Sequence, residues 1–395
     1  MSSLESEQSV DEDSCCQQLA GERDVVWSRE FIELLVTQFA FGLGFSVFHL
    51  LPKFLRLELN ASATEIGRTV GVGLVAAVLA TPFSALWLAR GARRNPACTG
   101  LVLLVVSALA FTQVERASAL LYAIRAVQGV AFTLFLGTIV TRGAELVPKA
   151  RLAQAMGWVG LAALVTNALS PLLAEPIAAR FGWKWVFLMA AGCGLIAFAL
   201  ACRLGDSPVA QAGSSSHWAL SDRSLWYVLY ATAICGVTIG VMFTFTQPLA
   251  LDRGARDVGR YFSGYVLGAT TVRLLCSGVA DRWGRGRVSI GMLILYALVV
   301  ALTAEITPGT LLLAGIGLGI AHGLVYPALN AMALERATER NRAVIASLFG
   351  GAFSLGNALS VLGLGVVADA FGYGPVFIGT AALTLTGAVA LLGIK

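Results

Sequence analysis

Charge is scarce in this chain. Only 13% of its 395 residues are Asp, Glu, Lys or Arg, about half the share of an ordinary soluble domain. So little charge cannot cover the surface of a soluble fold, which excludes a cytoplasmic enzyme and a disordered chain. Lysine occurs only at positions 53, 149, 184 and 395, and no G-x-x-x-x-G-K-[ST] loop exists to bind ATP. H-E-x-x-H, G-x-S-x-G and a paired-carboxylate site are also missing, so no enzyme is expected. The 7 cysteines show neither C-x-x-C nor metal-ligand spacing, and no disulfide framework, metal site or cofactor is expected. The acidic, polar first 26 residues lack the apolar centre of a signal peptide, so the first apolar run should stay in the mature chain.

What the chain has instead is apolar length. Hydrophobic residues make up 57% and the mean hydropathy is +0.77. The runs are continuous rather than alternating, which excludes a transmembrane barrel, and each is about long enough to cross ~30 Å of hydrocarbon as a helix. Twelve spans are predicted: 30–51, 65–89, 97–114, 117–140, 152–174, 184–203, 225–249, 258–280, 288–304, 310–333, 343–367 and 374–394. The expected organisation is an acidic disordered tail (1–27), a six-helix half (28–203), a polar Gly/Ser linker (204–224) and a second six-helix half (225–395). The net charge of +5 comes from Arg residues in short loops, which reads as membrane topology rather than nucleic-acid binding. Arg90, Arg93, Arg94, Arg142, Arg282, Arg285, Arg287, Arg336 and Arg342 crowd the loops on one side, placing that side and both termini in the cytoplasm.

The halves repeat each other. Residues 167–187 and 357–377 are identical at 10 of 21 positions at an offset of 190. A fainter echo pairs Gln128-Gly129 with His322-Gly323 in helices 4 and 10. Duplicated halves put any substrate site near the middle of the bilayer.

Gly278-Val-Ala-Asp281-Arg282-Trp-Gly284-Arg285-Gly-Arg287, between helices 8 and 9, resembles the loop signature G-x-x-x-D-R-x-G-R-[RK] of the major facilitator superfamily. Arg125-Ala-Val-Gln128-Gly129 is similar to the R-x-x-Q-G of proton-coupled members, and Phe181-Gly-Trp-Lys-Trp-Val-Phe187 to the opening of their sixth helix. The first-half loop departs from the signature, with Leu88 where the family has Asp. The helix 5 signature of drug antiporters is not met. The resemblance, to twelve-helix bacterial efflux-type members, implies an all-α membrane protein of two pseudo-symmetric six-helix halves. It implies an inner-membrane location, a lipid bilayer, a small-molecule substrate and protons as partners, no nucleic acid, and a monomer. Gly278, Asp281, Arg282, Gly284 and Arg285 are the expected gating residues.

Ionisable groups inside a membrane are costly and usually face a cavity or a partner. Arg125 in helix 4 is a candidate for coupling or substrate binding, or else an interhelix tie. Arg273 in helix 8 serves the same ends or braces the Asp281 loop. His322, mid-helix 10 ahead of Tyr326, is either a proton site or a satisfied core residue. Glu33 is the one carboxylate clearly within helix 1, though near its end, and His49 reads as interfacial. Gln38, Gln128, Asn167, Tyr230, Thr244, Gln247, Tyr326, Asn330 and Asn357 are candidate cavity polar groups or interhelix ties. Asn167 and Asn357 hold equivalent positions in the repeat. The expected function is proton-coupled export of a small organic molecule, such as a drug, sugar derivative or siderophore-like metabolite. Uptake of a nutrient and a transport-dead sensor are the alternatives.

Overall fold

The computed structural model of the chain describes residues 27–90, 93–148, 151–205, 222–276, 278–338 and 341–394. Most of the predicted tail and linker lies outside these, as do the side chain of Asp281 and residues 149–150. Twelve long helices fill the described residues: α1 (Arg29–Glu58), α2 (Ala63–Ala89), α3 (Arg94–Phe111), α4 (Ala119–Glu145), α5 (Leu152–Phe181), α6 (Trp183–Ala201), α7 (Arg223–Asp252), α8 (Gly259–Cys276), α9 (Arg285–Thr303), α10 (Leu311–Glu335), α11 (Arg342–Phe371) and α12 (Tyr373–Leu392). Eleven are long and apolar enough to cross a membrane by themselves; α8 is not. Ser263, Thr270, Thr271, Arg260 and Arg273 dilute it. It is tolerated because α10 and α5 flank it with protein rather than lipid.

Local sequence sets the helix ends. Ser28 caps α1 by accepting from the Phe31 amide. Ser62 and Glu65 form a reciprocal capping box on α2. Asp222 caps α7 and accepts from the Ser224 amide, which with the Ser224 hydroxyl holds its carboxyl below the usual range. Gly182 and Gly372, equivalent in the repeat, turn α5 into α6 and α11 into α12 at φ +89° and +82°, a region that side chains rarely adopt. The spans expected to end at 174 and 367 both run on to the glycine turn: α5 absorbs Pro171 and Pro176 within the helix, and α11 contains no proline to stop it.

Packing is the same in both sets of six. α2 lies on α4, α3 on α4 and α6, and α1 on α5 and α6; α8, α9, α7 and their partners repeat this arrangement. Between the sets, α2 meets α11 and α5 meets α8. A Cβ at Gly67 of α2 would collide with the Val361 carbonyl of α11, so the two backbones touch there. α1 and α7 are each broken at equivalent places. In α1 a 3₁₀ turn, Val47–Leu50, precedes Pro52, and in α7 the helix restarts at Thr246 ahead of Pro248.

At the end of the bundle where α1 starts and α12 finishes, hereafter the terminal end, ion pairs tie helices within each half. Arg142 pairs with Glu30 (2.8 Å) and Arg93 with Glu145 (2.6 Å). In the second half Arg336 reaches Asp222 (3.8 Å) and Arg285 reaches Glu335 (2.5 Å). Leu88, the departure from the loop signature, still takes part: its main-chain carbonyl accepts from Arg93 Nη1.

Polar ties between the halves cluster at the opposite, far end. Lys53 Nζ, paired with Glu175 Oε1 of its own half (2.6 Å), donates across to the Arg256 carbonyl (2.5 Å), and the other Glu175 oxygen accepts from the Gly259 amide (2.9 Å) at the start of α8. Asp369 of α11 accepts from the Ala63 and Thr64 amides (2.8 and 2.9 Å) at the start of α2. Each half thus presents a carboxylate to a helix N-terminus of the other. Arg56 meets Asp252 at 2.9 Å nearby. At the terminal end α4 and α10 do not pack together. The bundle is shut at the far end.

Lys53 and Glu175 belong to the same half, and their side chains are each only 10% exposed. What Lys53 adds across the halves is its bond to the Arg256 carbonyl, a charge-assisted hydrogen bond of about 1.5–3 kcal/mol, comparable to the few kcal/mol that usually separate two conformers. Lys53→Met should therefore release the far end. A cysteine placed at Asn357 should then react with impermeant maleimide from the far side about tenfold faster than in the Lys53 protein. An unchanged rate would show that Lys53 does not hold the end shut.

Candidate functional site

Between the halves lies a cavity of two adjoining lobes, about 300 and 400 Å³, within the range of small-ligand sites. Phe45, His49, Leu74, Arg125, Phe353 and Asn357 line both. One lobe adds Gln38, Ser46, Phe132, Thr166, Asn167 and Ser354. The other adds Phe243, Thr244, Tyr265 and His322. No Asp, Glu or Lys lines either lobe.

Arg125 is the only fixed charge among the lining residues. It stands on α4 and is 8% exposed. Its Nη1 donates to Gln128 Oε1 (2.5 Å), one turn along, and its Nε reaches the Thr69 carbonyl at a long 3.4 Å. No carboxylate pairs with it among the described residues. Gly73 makes room, since a Cβ there would lie 3.0 Å from Arg125 Nη2. A buried guanidinium held by neutral acceptors has donors to spare for an anion.

The polar surroundings are neutral. Asn167 Oδ1 accepts from the Ser46 hydroxyl (2.9 Å) and meets His49 Nε2 (3.2 Å). The His49 ring stacks on Phe262 and stands edge-on to Phe243, and its carbonyl accepts from Gln247 of the other half (2.7 Å). His322 is 7% exposed and caged by Tyr265, Tyr296, Tyr326 and Phe353. Its Nδ1 has no partner, and neither has Oε1 of Gln38, which is 2% exposed.

Arg125, His322, Gln38, Asn167, Asn357 and Thr244 thus converge on one cavity. Gln128 and Tyr326 line neither lobe; they hold Arg125 and His322 from behind. Arg273 also lines neither and is half-buried on α8 with its Nε unpartnered. Glu33 stays at the terminal end of α1, bound to Arg29 (3.0 Å). Tyr230 is 42% exposed on the outer face of α7, bound to Thr386 (2.7 Å), and does not face the cavity. Gln247 binds across the halves rather than lining the cavity. In the loop signature, Gly284 takes φ +88° and Arg282 is exposed. The expectation that missed most was His49, read as interfacial. The break in α1 puts it at the cavity wall, and its spacing of three from Ser46 and from Pro52 marks that face.

The Major Facilitator Superfamily model matches residues 34–259 and 251–395. Over 182 residues the chain is 26% identical to "Probable anion transporter 2, chloroplastic" of Oryza sativa subsp. japonica, an alignment covering 44% of this chain and 34% of that protein. The chain therefore spans about a third of the length of that relative. Among solved structures it is similar to the nucleoside transporter NupG (TM-score 0.77, 14% identity, 92% of this chain and 98% of that one). It is also similar to a POT family transporter in complex with 5-aminolevulinic acid (TM-score 0.78, 13% identity, 92% and 95%). At these identities the likeness is one of fold.

Arg125 stands within the first two turns of α4 (Ala119–Glu145), and an unpaired charge there is a cost to the fold of up to roughly 3 kcal/mol, the value for a helix centre. Arg125→Met should therefore raise the melting temperature of the detergent-solubilised protein, by about 1–3 kcal/mol of stability. A lowered melting temperature would mark Arg125 as an interhelix tie.

Proposed function

Because the chain belongs to the major facilitator superfamily and is a multi-pass membrane transporter of that fold, we propose that it carries a small organic anion at Arg125, exporting it in exchange for protons. The observation behind this reading is the buried Arg125 guanidinium, which has no carboxylate partner among the described residues and stands in a cavity whose lining lacks acids. A neutral cargo would leave that charge uncompensated throughout the cycle, whereas a carboxylate or phosphate accepts its planar fork. The partial likeness to a probable anion transporter points the same way.

Transport follows by rocking of the two sets of six helices about the midplane. In the present state the far-end ties are made. The basic loops support a cytoplasmic terminal end, which takes cargo up from inside. In the opposite state the terminal end closes, with Asp281 drawn toward the start of α5 near Arg151. A negative-inside potential favours export of a monoanion by ~2.3 kcal/mol per 100 mV. Proton entry in exchange moves charge in the same favourable sense. The cavity imidazoles, His49 and His322, are the groups proposed to carry the exchanged proton.

Purified protein in proteoliposomes, offered radiolabelled organic anions, nucleosides and peptides, tests this. Anion flux should respond to an imposed pH gradient, and Arg125→Lys, which keeps the charge but loses the fork, should lower it at least tenfold. His322→Gln should abolish pH-driven accumulation while sparing downhill exchange. Accumulation with unaltered pH dependence would remove His322 from the coupling. Flux of neutral solutes alone would overturn the anion reading.

A further inference from the structure

Resting on the anion reading, we propose that the cargo is an aromatic monocarboxylate whose ring carries a hydrogen-bond donor. Three observations define it. First, Arg125 is the single cation among the lining residues. A second carboxylate would lie in an apolar wall with nothing to balance it, so dianions are disfavoured.

Second, the walls around that guanidinium are rings. Phe45 and Phe132, 4.8 Å apart, form one side from α1 and α4. Phe243 and Tyr265, edge-on at 5.1 Å, form another from α7 and α8. Phe353 of α11 lines both lobes. Rings from both halves surround one space, so a flat π-surface meets faces and edges on several sides. Such pairs add ~0.5–1.5 kcal/mol beyond the area they bury. Lobes of about 300 and 400 Å³ suit one ring with a short acid arm.

Third, two of the lining residues, both more than nine-tenths buried, each keep a polar atom without a partner: Oε1 of Gln38 and Nδ1 of His322. A buried acceptor without a donor is costly. Gln38 and Arg125 line one lobe together, while His322 and Arg125 line the other. A ligand anchored by its carboxylate at Arg125 can therefore offer a hydroxyl or amino group in either direction. The same geometry explains discrimination: a ring without the donor leaves the acceptor unsatisfied.

The test is equilibrium binding to the full-length protein in detergent, with four probes: 4-hydroxyphenylacetate, phenylacetate, cyclohexylacetate and terephthalate. The expected order is 4-hydroxyphenylacetate first, phenylacetate weaker by about tenfold, cyclohexylacetate weaker again by roughly three- to tenfold, and terephthalate weakest. Phe353→Leu should weaken both aromatic probes by about tenfold and leave cyclohexylacetate unchanged. Gln38→Leu and His322→Leu, made separately, should identify the acceptor by erasing the advantage of 4-hydroxyphenylacetate. Cyclohexylacetate binding as tightly as phenylacetate, or terephthalate binding tightest, would overturn the aromatic monoanion and leave anion transport standing. If no probe bound at millimolar concentration while uridine did, both readings would fall.

Discussion

The structure is organised around one uncompensated charge. A guanidinium in the middle of a lipid-embedded bundle is tolerated only where neighbours share the load, and Arg125 has only the Gln128 amide and a distant Thr69 carbonyl to do so. Other features follow from that placement. Gly73 must lack a side chain so that the guanidinium fits against α2. The cavity must reach Arg125 from both lobes, and its walls must contain no acid, or the charge would be neutralised before a ligand arrived. Asn167 and Asn357 supply polarity without charge.

Around this centre the fold uses the same devices twice. Two carboxylates, Glu175 and Asp369, each hold a helix N-terminus of the opposite half. Two proline-associated breaks bend α1 and α7 toward each other, where Gln247 reaches the His49 carbonyl. Two glycine turns join α5 to α6 and α11 to α12. Duplication explains why these come in pairs. The pairs are not identical: Glu175 also carries Lys53, whereas Asp369 takes two backbone amides.

Much of this was legible in the sequence because lipid imposes a length and a composition on every span. α8 shows the limit, since protein on both sides lets it carry residues that lipid would refuse. The repeat brought Arg125 and His322 to one place. What could not be read was which way a polar residue faces. In water the apolar stripe of a helix reveals its inner side, but in a bilayer the outer side is apolar too. Tyr230 therefore looked as promising as Thr244, yet one faces outward and the other lines the cavity. Charges near helix ends, such as Lys53 and Glu175, carry no mark in the sequence of the partner they find, although each is paired and only 10% exposed. His49 was hidden for the same reason.

The contact at Leu88 is made by the main chain. Arg93 binds a carbonyl that every residue type possesses, while the side chain of Leu88 packs away inside the bundle. An aspartate in that role can be protonated, neutralised by a cation or lost to a single substitution. A carbonyl has no titration and no alternative identity. The first half therefore keeps the one contact between Arg93 and residue 88 across changes of pH and of sequence at that position, while the second half places an ionisable Asp281 in the matching loop. The two terminal-end loops of this duplicated bundle are thus unequal in chemistry: one is held through a carbonyl that cannot titrate, while the other carries a carboxylate at the matching position.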